Sequence, residues 1–294
     1  MDIKNYLADT RKLVDLTLEK LLPPEDETPS VIHKAMRHSI FAGGKRLRPI
    51  LVFASGECFG GDRETLLHLG AAIEMMHTYS LVHDDLPALD NDDLRRGVPT
   101  CHKVFGEAMA ILAGDALMTR CYQALTELPG VTDAVRVHII GELSYATGTV
   151  RGMIGGQVAD IESEGKPVDA LTLEYIHHSK TGALLSACIR AGAIAAGSSD
   201  ADLETMTRFG AKLGLVFQIV DDILDVTASS ETLGKTAGKD EKAQKVTYPA
   251  LYGIDVSRQK ARELVDAALS DINGFGAEAD TLRELARYFI SRTA

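Results

Sequence analysis

Residues 64–93 read ETLLHLGAAIEMMHTYSLVHDDLPALDNDD. Leu66, Leu69, Ala72, Ile73, Met76, Leu81 and Val82 leave almost no polar face over 64–83, which predicts a buried, central helix. That helix ends in carboxylates: Asp84, Asp85 and, beyond Pro87, Asp90. A second apolar stretch, GLVFQIV at 214–220, runs the same way into VDDILD, with Asp221, Asp222 and Asp225. The first aspartates of the two motifs lie 221 − 84 = 137 residues apart. Carboxylates at the end of an apolar helix are costly to desolvate unless a cation shares them. Two such sets point to one site where divalent metals hold a polyanion between facing helices. They can meet only if the chain folds as a unit, so we expect a single all-α domain over 1–294, a large helical bundle.

Working outward, helical spacing recurs on both sides. Ile3, Leu7, Val14, Leu18 and Leu21 mark a helix over 3–22 that Pro23 and Pro24 end. A short helix over 29–42 stops at Gly43-Gly44, and Pro49 opens the next as its first residue, up to Gly60-Gly61. Further helices are expected over 106–127, 132–155, 171–197, 201–226, 242–252, 256–272 and 279–292. Period-2 alternation is scarce. The most loop-like internal stretch, TASSETLGKTAGKDE at 227–241, directly follows the second acidic motif.

The 294 residues carry a net charge of −11, which argues against a general nucleic-acid binder and leaves any anionic ligand to local basic clusters or metal. Cys58, Cys101, Cys121 and Cys188 form no CxxC or zinc spacing and read as reduced, buried thiols. The N-terminal segment lacks the apolar core of a signal peptide, and no run reaches the length of a membrane span. We expect a cytoplasmic protein.

The chemistry sits in the charged residues. Asp221 and Asp225 are i and i+4, one turn apart on the same helix face, and repel unless a cation sits between them. Gln218 and Asp222 form a second such pair. Asp90 lies about 120° from Asp84 on a straight helix, so only a break at Leu86–Ala88 brings it round. His77, seven residues before Asp84, shares its face; a satisfied core histidine is the plainer reading. Hard oxygen donors of this kind suit Mg²⁺ rather than zinc. Lys45, Arg46 and Arg48 in GGKRLRP precede a helix, whose positive N-terminus favours an anion. Arg95 and Arg96 follow the first acidic motif, where a surface ion pair is the common case. Lys180 and Thr181 sit in an apolar helix, and Lys235 and Lys239 in the loop-like stretch.

Taken together these stretches resemble the trans-isoprenyl diphosphate synthases. The residues that carry the resemblance are GGKRLRP (43–49), HTYSLVHDDLPALDNDDLRRGVPTCHKVFGEAMAILAGDAL (77–117), GMIGGQVAD (152–160), HHSKTGALL (177–185), FQIVDDILD (217–225) and GKTAGKDEKAQKVTYPALYG (234–253). The resemblance implies an all-α fold around a deep central cavity, and a homodimer. It implies three Mg²⁺ ions per site, with Mn²⁺ as a substitute, held by Asp84, Asp85 and Asp90 and by Asp221, Asp222 and Asp225. It assigns Lys45, Arg48, His77 and Arg96 to isopentenyl diphosphate, Arg95, Lys180 and Lys235 to the allylic diphosphate, and Gln218 and Thr181 to the lining of the reaction centre. Asn91 stands where an aspartate is often found, outside the metal pattern.

The expected reaction condenses isopentenyl diphosphate with dimethylallyl or geranyl diphosphate to the C15 farnesyl product, with C20 and C10 products as alternatives. Stretch 227–241 is the expected lid over the reacting centre. Tyr79, five residues before Asp84 and roughly 7.5 Å back along the helix, is the expected floor for the growing chain, and its small neighbour Ser80 blocks little. A terpene cyclase shares the acidic motifs but needs no second diphosphate site, against which GGKRLRP and Arg96 argue. A non-catalytic regulatory homologue could shed acidic ligands, and this chain keeps both motifs.

Overall fold

The structure, a computed structural model, describes residues 2–166, 168–227 and 247–291. Its helices in chain order are α1 (Ile3–Leu21), α2 (Ser30–Phe41), α3 (Leu47–Cys58), α4 (Arg63–Asp84), α5 (Cys101–Phe105), α6 (Glu107–Thr126), α7 (Asp133–Thr147), α8 (Met153–Ser163) and α9 (Ala170–Ile176). A π-helical turn, His177–Gly182, joins α9 to α10 (Ala183–Ala195); then come α11 (Asp200–Thr227), α12 (Tyr248–Tyr252), α13 (Ile254–Asp271) and α14 (Asp280–Ser291). Two two-residue strands, β1 (Leu94–Arg95) and β2 (Val98–Pro99), form one antiparallel hairpin, which the search for alternation missed because each strand is so short. The all-α expectation holds.

Helix α4 is the axis. Asp62 caps its start, accepting from the Thr65 amide at 2.9 Å. It packs against α1, α2, α3, α6 and α10, with Leu66, Leu69, Ile73, Met75 and Met76 fully buried. Helix α11 lies against α10, the π-turn and α13, burying Phe209, Leu213, Val216, Ile219 and Ile223. Most of the buried apolar residues form one cluster running from Val14 to Phe289.

Two boundaries differ from the expected ones. Helix α3 begins at Leu47, so Pro49 is its third residue and not its first. The misplacement costs nothing there, because the first four amides of a helix have no intrahelical acceptor. The single helix expected over 132–155 is two, broken between Thr147 and Met153, where Gly148 and Gly152 are extended and Arg151 has φ 55°. The expected helix 242–252 is described only as Tyr248–Tyr252, and the stretch 227–241 lies, apart from Thr227, outside the described residues, together with Lys235 and Lys239. Among the described residues no helix is long and apolar enough to cross a membrane.

Candidate active site

The C-terminal end of α4, the entry to α3, α8, the π-turn and α11 surround one cavity of about 560 Å³. Its lining includes Lys45, Arg48, His77 and Arg96, together with Asp84, Arg95, Lys180, Thr181, Gln218 and Asp221, and Tyr79 and Ser80 from α4. Every non-aspartate site residue predicted from sequence and described in the structure therefore faces the same space. A close helix approach makes this possible: a Cβ on Gly214 of α11 would lie 2.7 Å from the Gly182 Cα. That contact brings Lys180 and Thr181 beside the helix that carries Gln218 and Asp221.

The basic wall is assembled from three segments. Arg48, in the first turn of α3, donates from Nη1 to His77 Nε2 at 3.1 Å, which makes Nε2 the acceptor and leaves the ring proton on Nδ1. Enclosure by protein, and next the charge of Arg48 and Arg96, hold the His77 pKa well below the usual histidine value, so the ring is neutral at physiological pH. The Arg48 Nε is buried and has no hydrogen-bond partner among the described residues. Arg96 comes from the β1–β2 hairpin, whose two turn residues, Arg96 and Gly97, have φ 55° and 78°. That is the two-residue turn that suits twisted strands. Its guanidinium donates to the Gly43 carbonyl and lies over Gly44, where a Cβ would sit 2.2 Å from Nη1. With φ of 119°, Gly44 is a position that only glycine fills without strain.

The acidic wall behaves as a crowded set of like charges. Burial, reinforced by Asp90 and Asp85 and opposed by Lys180, pushes the Asp84 carboxyl up to about 6. Burial also raises Asp85, although Arg95 opposes it with bonds of 2.6 Å from Nε and 2.5 Å from Nη2. The break after α4 returns the chain sharply: the Asp90 amide donates to the Asp84 carbonyl at 2.8 Å, and the Asp92 amide to the Asp85 carbonyl at 3.1 Å. So the kink at Pro87 does bring Asp90 back to the end of the helix. Lys180 Nζ donates to Asp160 Oδ2 at 2.7 Å.

On α11 the three aspartates part company. Asp221 lines the cavity. Asp222 is buried, accepts from Gln218 Nε2 at 2.9 Å and from the Tyr248 amide at 2.9 Å, and lies 3.4 Å from His177 Nε2. Asp225, one turn below Asp221, is buried. Sequence reading missed Tyr248, Asp160 and His177 as partners of site residues, since helical spacing fixes faces but not contacts across the fold.

A divalent metal fits this donor set by charge and hardness. The site offers carboxylate oxygens, and Asp84, raised first by burial and then by Asp90 and Asp85, is a carboxylate whose charged form a cation would favour. Among the described residues no group of three or more His, Cys, Asp or Glu gathers closely enough to hold a metal alone.

Comparison with known proteins identifies relatives along nearly the whole chain. The family model described as polyprenyl synthetase matches residues 29–286. A farnesyl diphosphate synthase of Escherichia coli is 45% identical over 298 residues, covering 99% of both chains. The large subunit 1 of a heterodimeric geranylgeranyl pyrophosphate synthase from Arabidopsis thaliana chloroplasts is 47% identical, covering 99% of this chain and 80% of that one. Among solved structures, an apo FPP/GFPP synthase from Zymomonas mobilis superposes with a TM-score of 0.88 at 38% identity, covering 98% of this chain and 99% of that one.

Proposed function

As a member of the polyprenyl synthetase family, with the all-α isoprenoid synthase fold, this chain is a prenyltransferase, and we propose that it makes farnesyl diphosphate by joining isopentenyl diphosphate to dimethylallyl and then geranyl diphosphate. The observation that carries the reading is one cavity lined both by a basic set, Lys45, Arg48 and Arg96, and by an acidic set, Asp84 and Asp221 from the two aspartate motifs. A single diphosphate needs only one of them.

In this reading Lys45, Arg48, His77 and Arg96 hold the diphosphate of isopentenyl diphosphate. Arg95, Lys180 and Lys235 hold the allylic diphosphate. Asp84, Asp85 and Asp90 together with Asp221, Asp222 and Asp225 hold Mg²⁺, three ions per site, which when bound stabilises negative charge on the departing diphosphate. The allylic C–O bond breaks with its electron pair leaving on that diphosphate, and the cationic side groups receive the charge. The alkene of isopentenyl diphosphate, fixed by the basic wall, attacks the allylic carbon and forms the new C–C bond. The proton then lost goes to the released pyrophosphate, so no dedicated protein base is required. Gln218 and Thr181 line the reacting centre, from which water must be excluded.

Tyr79 sets the product length as the floor of the tail cavity. It is buried, and its ring edge packs on His83 at 5.7 Å between centroids. Relatives named for both farnesyl and geranylgeranyl products match this chain at similar identity, so C20 is the second reading. We place the enzyme in the cytoplasm as a homodimer. The four cysteines are buried and unbridged, and Leu112, Val137 and Tyr145 are exposed on the neighbouring helices α6 and α7. The direct test is Asp221→Ala, which should lower kcat by on the order of 10²–10³, as expected for loss of one transition-state stabiliser. Near-normal turnover in a folded variant would remove Asp221 from the acidic clamp.

A further inference from the structure

Arg46 and Glu74 belong to the cavity lining together with Lys45 and Arg48, yet each of the three Arg46 guanidinium nitrogens is bonded within the protein. Nε donates to Asp15 Oδ1 at 2.8 Å, Nη1 to Glu74 Oε1 at 2.9 Å, and Nη2 to the Ile40 carbonyl at 2.7 Å. These partners belong to α1, α4 and the end of α2, so one side chain ties the entry of α3 to three helices. The pair is deep: the side chains of Arg46 and Glu74 are 1% and 2% exposed. A charge so enclosed persists only when it is paired and hydrogen-bonded. Arg46 also holds φ 52°, a left-handed conformation that a non-glycine residue keeps only when its surroundings impose it.

The consequences reach the basic wall. The left-handed residue turns the chain between Lys45 and Leu47, so that Lys45 stays exposed at the cavity while Leu47 begins the helix and Arg48 lies in its first turn. Glu74 lies three residues before His77 on α4, nearly one turn away. The brace therefore spans the same gap that the Arg48–His77 bond crosses at 3.1 Å. Glu74 also favours the charged forms of Arg48 and Arg96 against the burial that works against both.

We infer that Arg46, through Glu74 and Asp15, is a positioning residue for the isopentenyl diphosphate site: its 1% exposed guanidinium is turned to protein partners and sets the spacing of Lys45, Arg48 and His77. This inference rests on the assignment of the basic wall to isopentenyl diphosphate. A displacement of about 1 Å at such a site is enough to cost on the order of 10²-fold.

The test uses the full-length protein and steady-state kinetics with each substrate varied in turn. Removing one member of a buried pair leaves the other charge stranded, so both are replaced together in Arg46→Met with Glu74→Met, an exchange that buried pairs often tolerate. We expect the KM for isopentenyl diphosphate to rise by about 10–100-fold, while the KM for the allylic substrate and kcat at saturation stay near the parent values. Asp15→Asn, at the more exposed end of the brace, should produce a smaller rise confined to the same substrate and serves if the double variant does not fold. An unchanged KM for isopentenyl diphosphate in either folded variant would overturn the inference, and so would a parallel loss for both substrates. Arg48→Ala separates the two levels. If it too leaves that KM unchanged, the assignment of the basic wall fails; if it raises the KM while the brace variants do not, only the positioning role fails.

Discussion

Replacing Tyr79 by alanine tests how the cavity measures its product. Tyr79 sits on α4 five residues before Asp84, so the ring lies about 7.5 Å along the axis from the acidic end. It is 7% exposed, lines the cavity wall, and burial pushes its phenol up to about 12, so it is a neutral, space-filling group at any working pH. Its removal joins the ring's volume to a cavity of about 560 Å³, in the direction a growing chain would take. One further isoprene unit carries five carbons; at about 0.8 kcal/mol per buried CH₂-sized group, seating it gains about 4 kcal/mol. Ordering a flexible segment returns about 1–2 kcal/mol of that. The remaining 2–3 kcal/mol, at about 1.4 kcal/mol per tenfold, corresponds to a shift of roughly 30–140-fold in the C20 to C15 ratio. Loss of the edge contact with His83 lowers stability by only about 0.5–1.5 kcal/mol, so the variant should remain folded. The assay incubates the variant with Mg²⁺, isopentenyl diphosphate and dimethylallyl diphosphate and separates the dephosphorylated products by chromatography. Tyr79→Phe, which keeps the ring, should keep the parent product. An active Tyr79→Ala enzyme with an unchanged product profile would refute the floor role.

Two further outcomes follow from the site. The Asp84 carboxyl is raised from 3.8 to about 6, so in the metal-free protein it adds stability that is fully present below about 3.8 and lost as pH rises through about 6. The effect is at most about 3 kcal/mol, and cavity water reduces it; thermal unfolding at pH 5 and 7 should show a loss at pH 7 that Asp84→Asn abolishes, and an identical pH dependence in the two proteins would contradict it. Gly44→Ala places a methyl 2.2 Å from the Arg96 guanidinium at φ 119°, so it should cost about 1–3 kcal/mol of stability from backbone strain and raise the KM for isopentenyl diphosphate; an unaltered Tm and KM would show that the Gly44–Arg96 contact has no role.

Much of this architecture was legible because the punctuation is strong. The proline pair at 23–24 ends α1, and Gly43-Gly44 and Gly60-Gly61 bound their helices as read. The unbroken apolar run before Asp84 marks the buried axis. The motifs also identified residues that converge on one cavity from segments up to 176 positions apart (Lys45 to Asp221, 221 − 45). What escaped was local backbone detail and tertiary pairing. The interruption at 148–152 lies within a continuous helical pattern, and only its glycines signal it. The hairpin at 94–99 is too short for alternation to register, although Arg-Arg-Gly is compatible with a turn. No periodicity could show that Asp222 caps the Tyr248 amide, or that Arg95 closes on Asp85. Arg46 was read with its basic neighbours, and its buried role was hidden. Glu74 was the available signal: a lone carboxylate in GAAIEMMHTY is rarely buried without a partner.

The central claim is that one cavity couples two diphosphates, and a single incubation tests it most directly. Purified protein with Mg²⁺, isopentenyl diphosphate and dimethylallyl diphosphate should release pyrophosphate only when both organic substrates are present, should yield farnesyl diphosphate as the main product, and should do neither in excess chelator. Pyrophosphate release from the allylic substrate alone, with no C10 or longer product when isopentenyl diphosphate is added, would contradict the second diphosphate site and the coupling function with it.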